Sequence, residues 1–96
     1  MNYGKAIKEL RNSLLLENQD DFSHNIGITQ GHLSSIENEK KNPSAQLLER
    51  ISEYTKIPTP ILSWLAIEEK DIPENKKEAF ELLKPSIDNF VSGFFN

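Results

Sequence analysis

The tightest constraint on what this chain can fold into lies between Asn18 and Asn38, where two short runs with helical spacing are separated by only Gly27-Ile28-Thr29. The first run, "NQDDFSHN", opens with an amide that can accept from the free N–H groups of a first helical turn, and Asp20 and Asp21 meet the positive end of that helix's dipole. A helix over about 19–25 follows. Gly27 suits the left-handed residue that ends it, and Thr29 suits the N-cap of a next helix over about 30–37. Helices joined this closely cannot overlap fully as an antiparallel pair, so they cross steeply and the second is held out from the body. At about 100° per residue, Leu33 and Ile36 point inward while Gly31, Ser34, Ser35 and Asn38 fall on the opposite side. Short helices with a glycine C-cap also occur in plain helical bundles, so the turn alone leaves that alternative open.

Helical spacing continues on both sides. In "YGKAIKELRNSLLLE", Ala6, Ile7, Leu10, Leu14 and Leu15 form one inward stripe of an amphipathic helix. "SAQLLERISEYTKI" gives a fourth helix capped by Ser44, with Leu47, Leu48 and Ile51 facing the core. Thr59 before Pro60 starts a fifth, whose Trp64 and Leu65 are expected to close the core against the first. A chain of 96 residues accommodates one core. The absence of cysteine removes disulfide and thiolate chemistry and suits a reducing interior. "MNYGKAIKEL" has no signal-peptide character, and no apolar run approaches the roughly 20 residues of a spanning helix, so a cytoplasmic location is expected.

From Gly4 to about Leu65 the chain resembles the XRE family, the phage repressor and Cro type of helix-turn-helix domain. The resemblance rests on apolar Phe22, Ile26, Ile28, Leu33 and Ile36, small Ser23, turn residue Gly27, and the run "LSSIENEKKNPS". It implies an all-α, lambda repressor-like five-helix DNA-binding domain, taken here as residues 1–68, with a C-terminal helical extension over 69–96. It also implies roles. Glu37 stands for the family's acidic residue at the end of the recognition helix, and Arg11 for its structural partner. Gln19 stands where a side chain and helix N-terminus hold a DNA phosphate, and Gln30 where an amide reads an adenine edge in the major groove. Thr29, Ser34, Ser35 and Asn38 are further candidate DNA contacts. Gly31 replaces a long polar reader, and His32 lies on the flank of the exposed face. The spacing of His24 and His32, without cysteine or a third ligand, argues against a metal site; no cofactor is expected.

Eleven Lys plus Arg against fifteen Asp plus Glu give a net charge of −4, which excludes coating of nucleic acid by bulk electrostatics. The distribution softens this: residues 1–43 carry five basic and six acidic side chains, and residues 44–96 six and nine. Lys40, Lys41 and Asn42 cluster just after the recognition helix, where the fold passes beside the DNA backbone, with Lys5 and Lys8 as further contributors. Three to five phosphate contacts per subunit, a rough count, make weak and salt-dependent monomer binding, so a dimer is expected.

The segment "PENKKEAFELLKPSIDNFVSGFFN" holds four of the five phenylalanines. Its spacing sets Phe80, Leu83, Ile87, Phe90, Val91 and Phe94 on one side of a helix that Pro85 should kink or split near Lys84. Such a stripe either folds back on the same core or forms a dimer or partner interface, and a homodimer on a palindromic operator is the favoured expectation. A transcriptional regulator, most simply a repressor, is the leading reading. The alternative is an antitoxin or immunity-type control protein whose tail binds a companion. An enzyme is not expected, because no nucleophile with a base, paired-carboxylate site or phosphate-cradling loop can be assembled; Glu68, Glu69 and Asp71 read as solvated linker.

Overall fold

A computed structural model describes residues 1–95, and among them every regular element is helical. In order these are α1 (Tyr3–Glu9), continued by a π-helical turn (Leu10–Leu14), α2 (Gln19–Ile26), α3 (Gln30–Glu37), α4 (Ala45–Thr55) and α5 (Thr59–Ala66). Two 3₁₀ turns, Glu69–Asp71 and Glu74–Lys76, lead to α6 (Lys77–Ser92). No helix among the described residues is long and apolar enough to cross a membrane.

Capping explains the boundaries of the central helices. The side chains of Asn18, Thr29 and Ser44 accept from the N–H of Asp21, His32 and Leu47 at 2.8, 3.1 and 3.0 Å, satisfying donors that a helix start leaves free. Gly27 ends α2 at φ 78°, a conformation glycine adopts without the Cβ clash of other residues, and its N–H and that of Ile28 close back on His24 and Ser23.

One core holds α1 to α5 together. Ile7 and Leu10, Phe22 and Ile26, Leu33 and Ile36, and Leu47 and Ile51 enter as pairs spaced three or four apart, joined by Ile57 and Leu62. α1 lies against α3 and α5, and α2 lies against α3 and α4. Gly4 makes the first of these approaches possible: a Cβ on it would stand 2.2 Å from the carbonyl oxygen of Ile36.

Four expectations change. The first helix does not continue regularly; Leu15 N–H bonds Leu10 C=O five residues back, and the widened turn leaves Leu14 and Leu15 half-buried. On α5, Leu62 and Ala66 point into the core, whereas Trp64 and Leu65, some 200° and 300° further round than Leu62, are half-exposed. α6 is not split at Pro85 but runs through it. The carbonyl that loses its donor there belongs to exposed Glu81, where water can satisfy it. Glu68 and Asp71 are not free linker, because they cap the 3₁₀ turn between them.

The tail stripe divides. Phe80 rests on Trp64 (centroids 5.6 Å apart), Ile87 is half-buried and Val91 is buried. Asp88 accepts from Trp64 Nε1 at 2.9 Å, and Phe95 packs against the core. Val91 is thus occupied within its own chain, which removes it from the surface expected of that stripe. Leu83, Phe90 and Phe94 stay exposed, as does Leu82. The physical reason is width: a helical stripe spanning roughly 100° can turn one edge to the body and leave the other bare.

Candidate nucleic-acid interface

α3 stands on Leu33 and Ile36, both fully buried, and its other side is open. Gln30, Gly31 and Asn38 are exposed and Ser34 and Ser35 partly so, forming one polar ridge; His32 sits half-buried on the flank. Among the described residues, nothing beyond its chain neighbours and its own helix backbone lies within 4 Å of where a Cβ of Gly31 would be. The ridge's side-chain hydrogen bonds, among the described residues, run to α2 or stay within α3: Asn38 Nδ2 donates to Ser34 Oγ at 3.3 Å, and Thr29 is spent on its cap. Lys40, Lys41 and Asn42 are exposed on the loop just beyond, and Glu39 between them and α3 accepts from Asn2 Nδ2 at 2.7 Å.

Beneath one edge of the ridge lies an ion pair. Arg11 donates through Nε and Nη2 to the two carboxylate oxygens of Glu37 at 2.7 and 2.9 Å, a forked contact suited to the planar guanidinium. Both side chains are buried, with 7 % and 5 % of each residue exposed. The hydrogen bond to Glu37 raises the Arg11 pKa further above its ordinary value, desolvation opposing it. Arg11 Nη1 also donates to the carbonyl of Glu17 at 2.8 Å, fastening the chain between the π turn and α2. Arg11 itself lies on the π turn, one of its two buried residues.

The pair orders the two glutamines above it. Ionised Glu37 can only accept, so Gln19 turns its Nε2 to it at 3.0 Å and presents Oε1 outward. Gln30 must then offer its own Nε2 to that oxygen, at 2.6 Å. Among the described residues, one Gln30 N–H and its whole Oε1 make no hydrogen bond and stand at the rim. That polarity matches the acceptor N7 and donor N6 of an adenine edge. Gln19, Gln30 and Asn18 line an open depression of about 660 Å³ with Arg11, Leu16 and Asp20, at the N-terminal end of α2 where free N–H groups gather.

Several members of this arrangement carry no local sequence signal. Gly4, Leu16 and the Tyr54 hydroxyl, which donates to Glu17 at 2.7 Å and accepts from Asn25 at 3.0 Å, were not singled out from sequence. A glycine this early in a helix, followed by apolar positions, was the one available hint for Gly4. Among the described residues no group of three or more His, Asp or Glu is placed to hold a metal ion.

Comparison with known proteins gives one result. A family model described as helix-turn-helix matches residues 7–62, which takes in α2, the turn, α3 and the pair formed by Arg11 and Glu37. No match is found among curated proteins or among solved structures.

Proposed function

The chain belongs to the XRE-type helix-turn-helix family of DNA-binding transcription regulators, and from that premise we propose that it is a repressor occupying a palindromic operator as a two-fold dimer. The observation that carries this reading is the polar ridge of α3, open to solvent above a buried ion pair that orients its leading side chain. In the proposed complex α3 enters the major groove, Gln30 pairs with an adenine through its free N–H and Oε1, and Ser34, Ser35 and Asn38 face neighbouring base edges or phosphates. Gln19 and the first N–H groups of α2 receive one phosphate, and Lys40, Lys41 and Asn42 follow the backbone further along. Gly31 lets the main chain come close, and His32 reaches the groove wall.

The experiment is selection of bound sequences from random duplex DNA, repeated with Gln30→Ala. Enrichment of a palindrome is expected, with preference relaxing at one symmetric pair of positions in the variant. Enrichment of no sequence would overturn the reading. It would favour the second one, a control protein that acts through a companion, for which the exposed Leu83, Phe90 and Phe94 are the specific support.

A further inference from the structure

Leu16, between the π-helical turn and α2, has φ 56°, and with 81 % of its surface open it is the most exposed large hydrophobic residue among those described. Left-handed backbone crowds a Cβ against the following carbonyl, and glycine is the residue that adopts it freely. Glu39 and Lys56 share the conformation at the ends of α3 and α4, but their side chains are charged and suited to water. Leu16 carries two costs at once, a strained backbone and a bare apolar side chain.

The conformation is held from both sides. Leu15 N–H closes back on the Leu10 carbonyl at 2.8 Å, and Glu17 N–H on the Arg11 carbonyl at 2.9 Å. Arg11 Nη1 then holds the carbonyl of Glu17, the Tyr54 hydroxyl holds its carboxylate, and Asn18 is fixed as the cap of α2. Strain that the surroundings overdetermine in this way gathers at binding sites. The place fits. Leu16 borders the open depression that contains Gln19, Gln30 and the N-terminal end of α2, and it is the one apolar residue lining it.

We propose that Leu16 is a DNA contact whose side chain packs on the C–H face of a deoxyribose, beside the phosphate received at the start of α2. A nucleic-acid strand alternates ionised phosphates with apolar sugar edges, and this rim sets helix N–H groups next to an isobutyl group. Such a contact reads no sequence. It also releases no counterion, so it supplies affinity that salt does not screen, which suits a chain of net charge −4. The inference rests on the DNA-binding reading of this face and needs neither a palindrome nor a repressor role.

The test is Leu16→Gly, which relieves the backbone and removes the side chain together. Its Tm is expected to equal or exceed that of the natural protein. By fluorescence anisotropy on a labelled random-sequence duplex about three helical turns long, its Kd is expected to weaken at least about tenfold, the equivalent of leaving half of a leucine uncovered. The slope of affinity against salt is expected to stay the same. Leu16→Met, which keeps an apolar reach, is expected to bind within about twofold of the natural protein. Because the chain has no cysteine, Leu16→Cys carrying a benzophenone is expected to cross-link to the duplex, and Glu78→Cys on α6, labelled alike, is not.

Leu16→Gly binding as tightly as the natural protein, or cross-linking no stronger at position 16 than at position 78, would overturn the contact. So would a lowered Tm in Leu16→Gly, which would make the leucine a support of the fold, or a shallower salt slope, which would trace the loss to phosphates. A natural protein that binds no duplex would bring down the DNA-binding reading itself; binding that survives Leu16→Gly undiminished removes this contact alone.

Discussion

Glu37→Ala removes the acceptor of three hydrogen bonds at once, two from Arg11 at 2.7 and 2.9 Å and one from Gln19 at 3.0 Å. Arg11 cannot discard its charge and keeps only its bond to the Glu17 carbonyl, in a position where 7 % of the residue meets solvent. Breaking a buried pair from one side costs about 3–5 kcal/mol. The open depression beside Arg11 lets water reach the stranded guanidinium, which places the cost at the lower end, about 3 kcal/mol. For a domain of this size that is a fall in Tm on the order of 12–24 °C. The discriminating partner is the double variant Arg11→Met with Glu37→Leu, which leaves no unpaired charge and should recover stability to within about 1 kcal/mol of the natural protein. It should not recover base preference, because Gln19 then has no acceptor to set its orientation and Gln30 loses its fixed partner. Thermal unfolding of Glu37→Ala and of the double, with binding-site selection on the double, measures both. The reasoning fails if Glu37→Ala costs under about 1 kcal/mol, or if the double keeps full preference at the Gln30 position.

Gly4→Ala should destabilise by about 1–3 kcal/mol, because its Cβ would sit 2.2 Å from the backbone oxygen of Ile36, which cannot swing aside; a Tm equal to or above that of the natural protein would contradict this. Gly31→Ala should raise stability by up to about 1 kcal/mol through helix propensity alone, with open space around the new methyl, and a lower Tm would speak against that exposure. Asp88 titrates below its ordinary value, first through its hydrogen bond from Lys84 and then through that from Trp64. Between the folded and ordinary values the unfolded chain binds more protons, so the stabilisation is full above the ordinary carboxylate range and is lost as pH falls through the folded value. Fluorescence of Trp64, the one tryptophan, should show this acid-side change, and Asp88→Asn should abolish it; the same profile in both proteins would refute the assignment. Lys40→Ala with Lys41→Ala should weaken binding to all duplexes alike and reduce the salt slope by about 1.8, read from affinities at several salt concentrations, and a loss confined to some sequences would count against a backbone role.

The central helices were legible because their signals are local. Asn18, Thr29 and Ser44 cap within three residues of themselves, Gly27 supplies its own left-handed turn, and periodicity alone selects Leu33 and Ile36 as the buried side of α3. From those cues the helix, turn and helix were expected at 19–25 and 30–37, against Gln19–Ile26 and Gln30–Glu37 in the structure.

What the chain alone could not decide was everything that depends on which distant surface arrives. The close approach of Gly4 to Ile36, the pairing of Arg11 with Glu37, and the fixed order from Glu37 through Gln19 to Gln30 join segments 11 to 32 residues apart. Trp64 was expected inside and instead receives α6, and one apolar stripe became two, with Val91 covered by its own chain and Phe90 left bare. The helical repeat determines which side chains share a face, since 3.6 residues make a turn whatever lies nearby. Only the packed neighbours determine how much of that face is covered, because burial belongs to two surfaces at once.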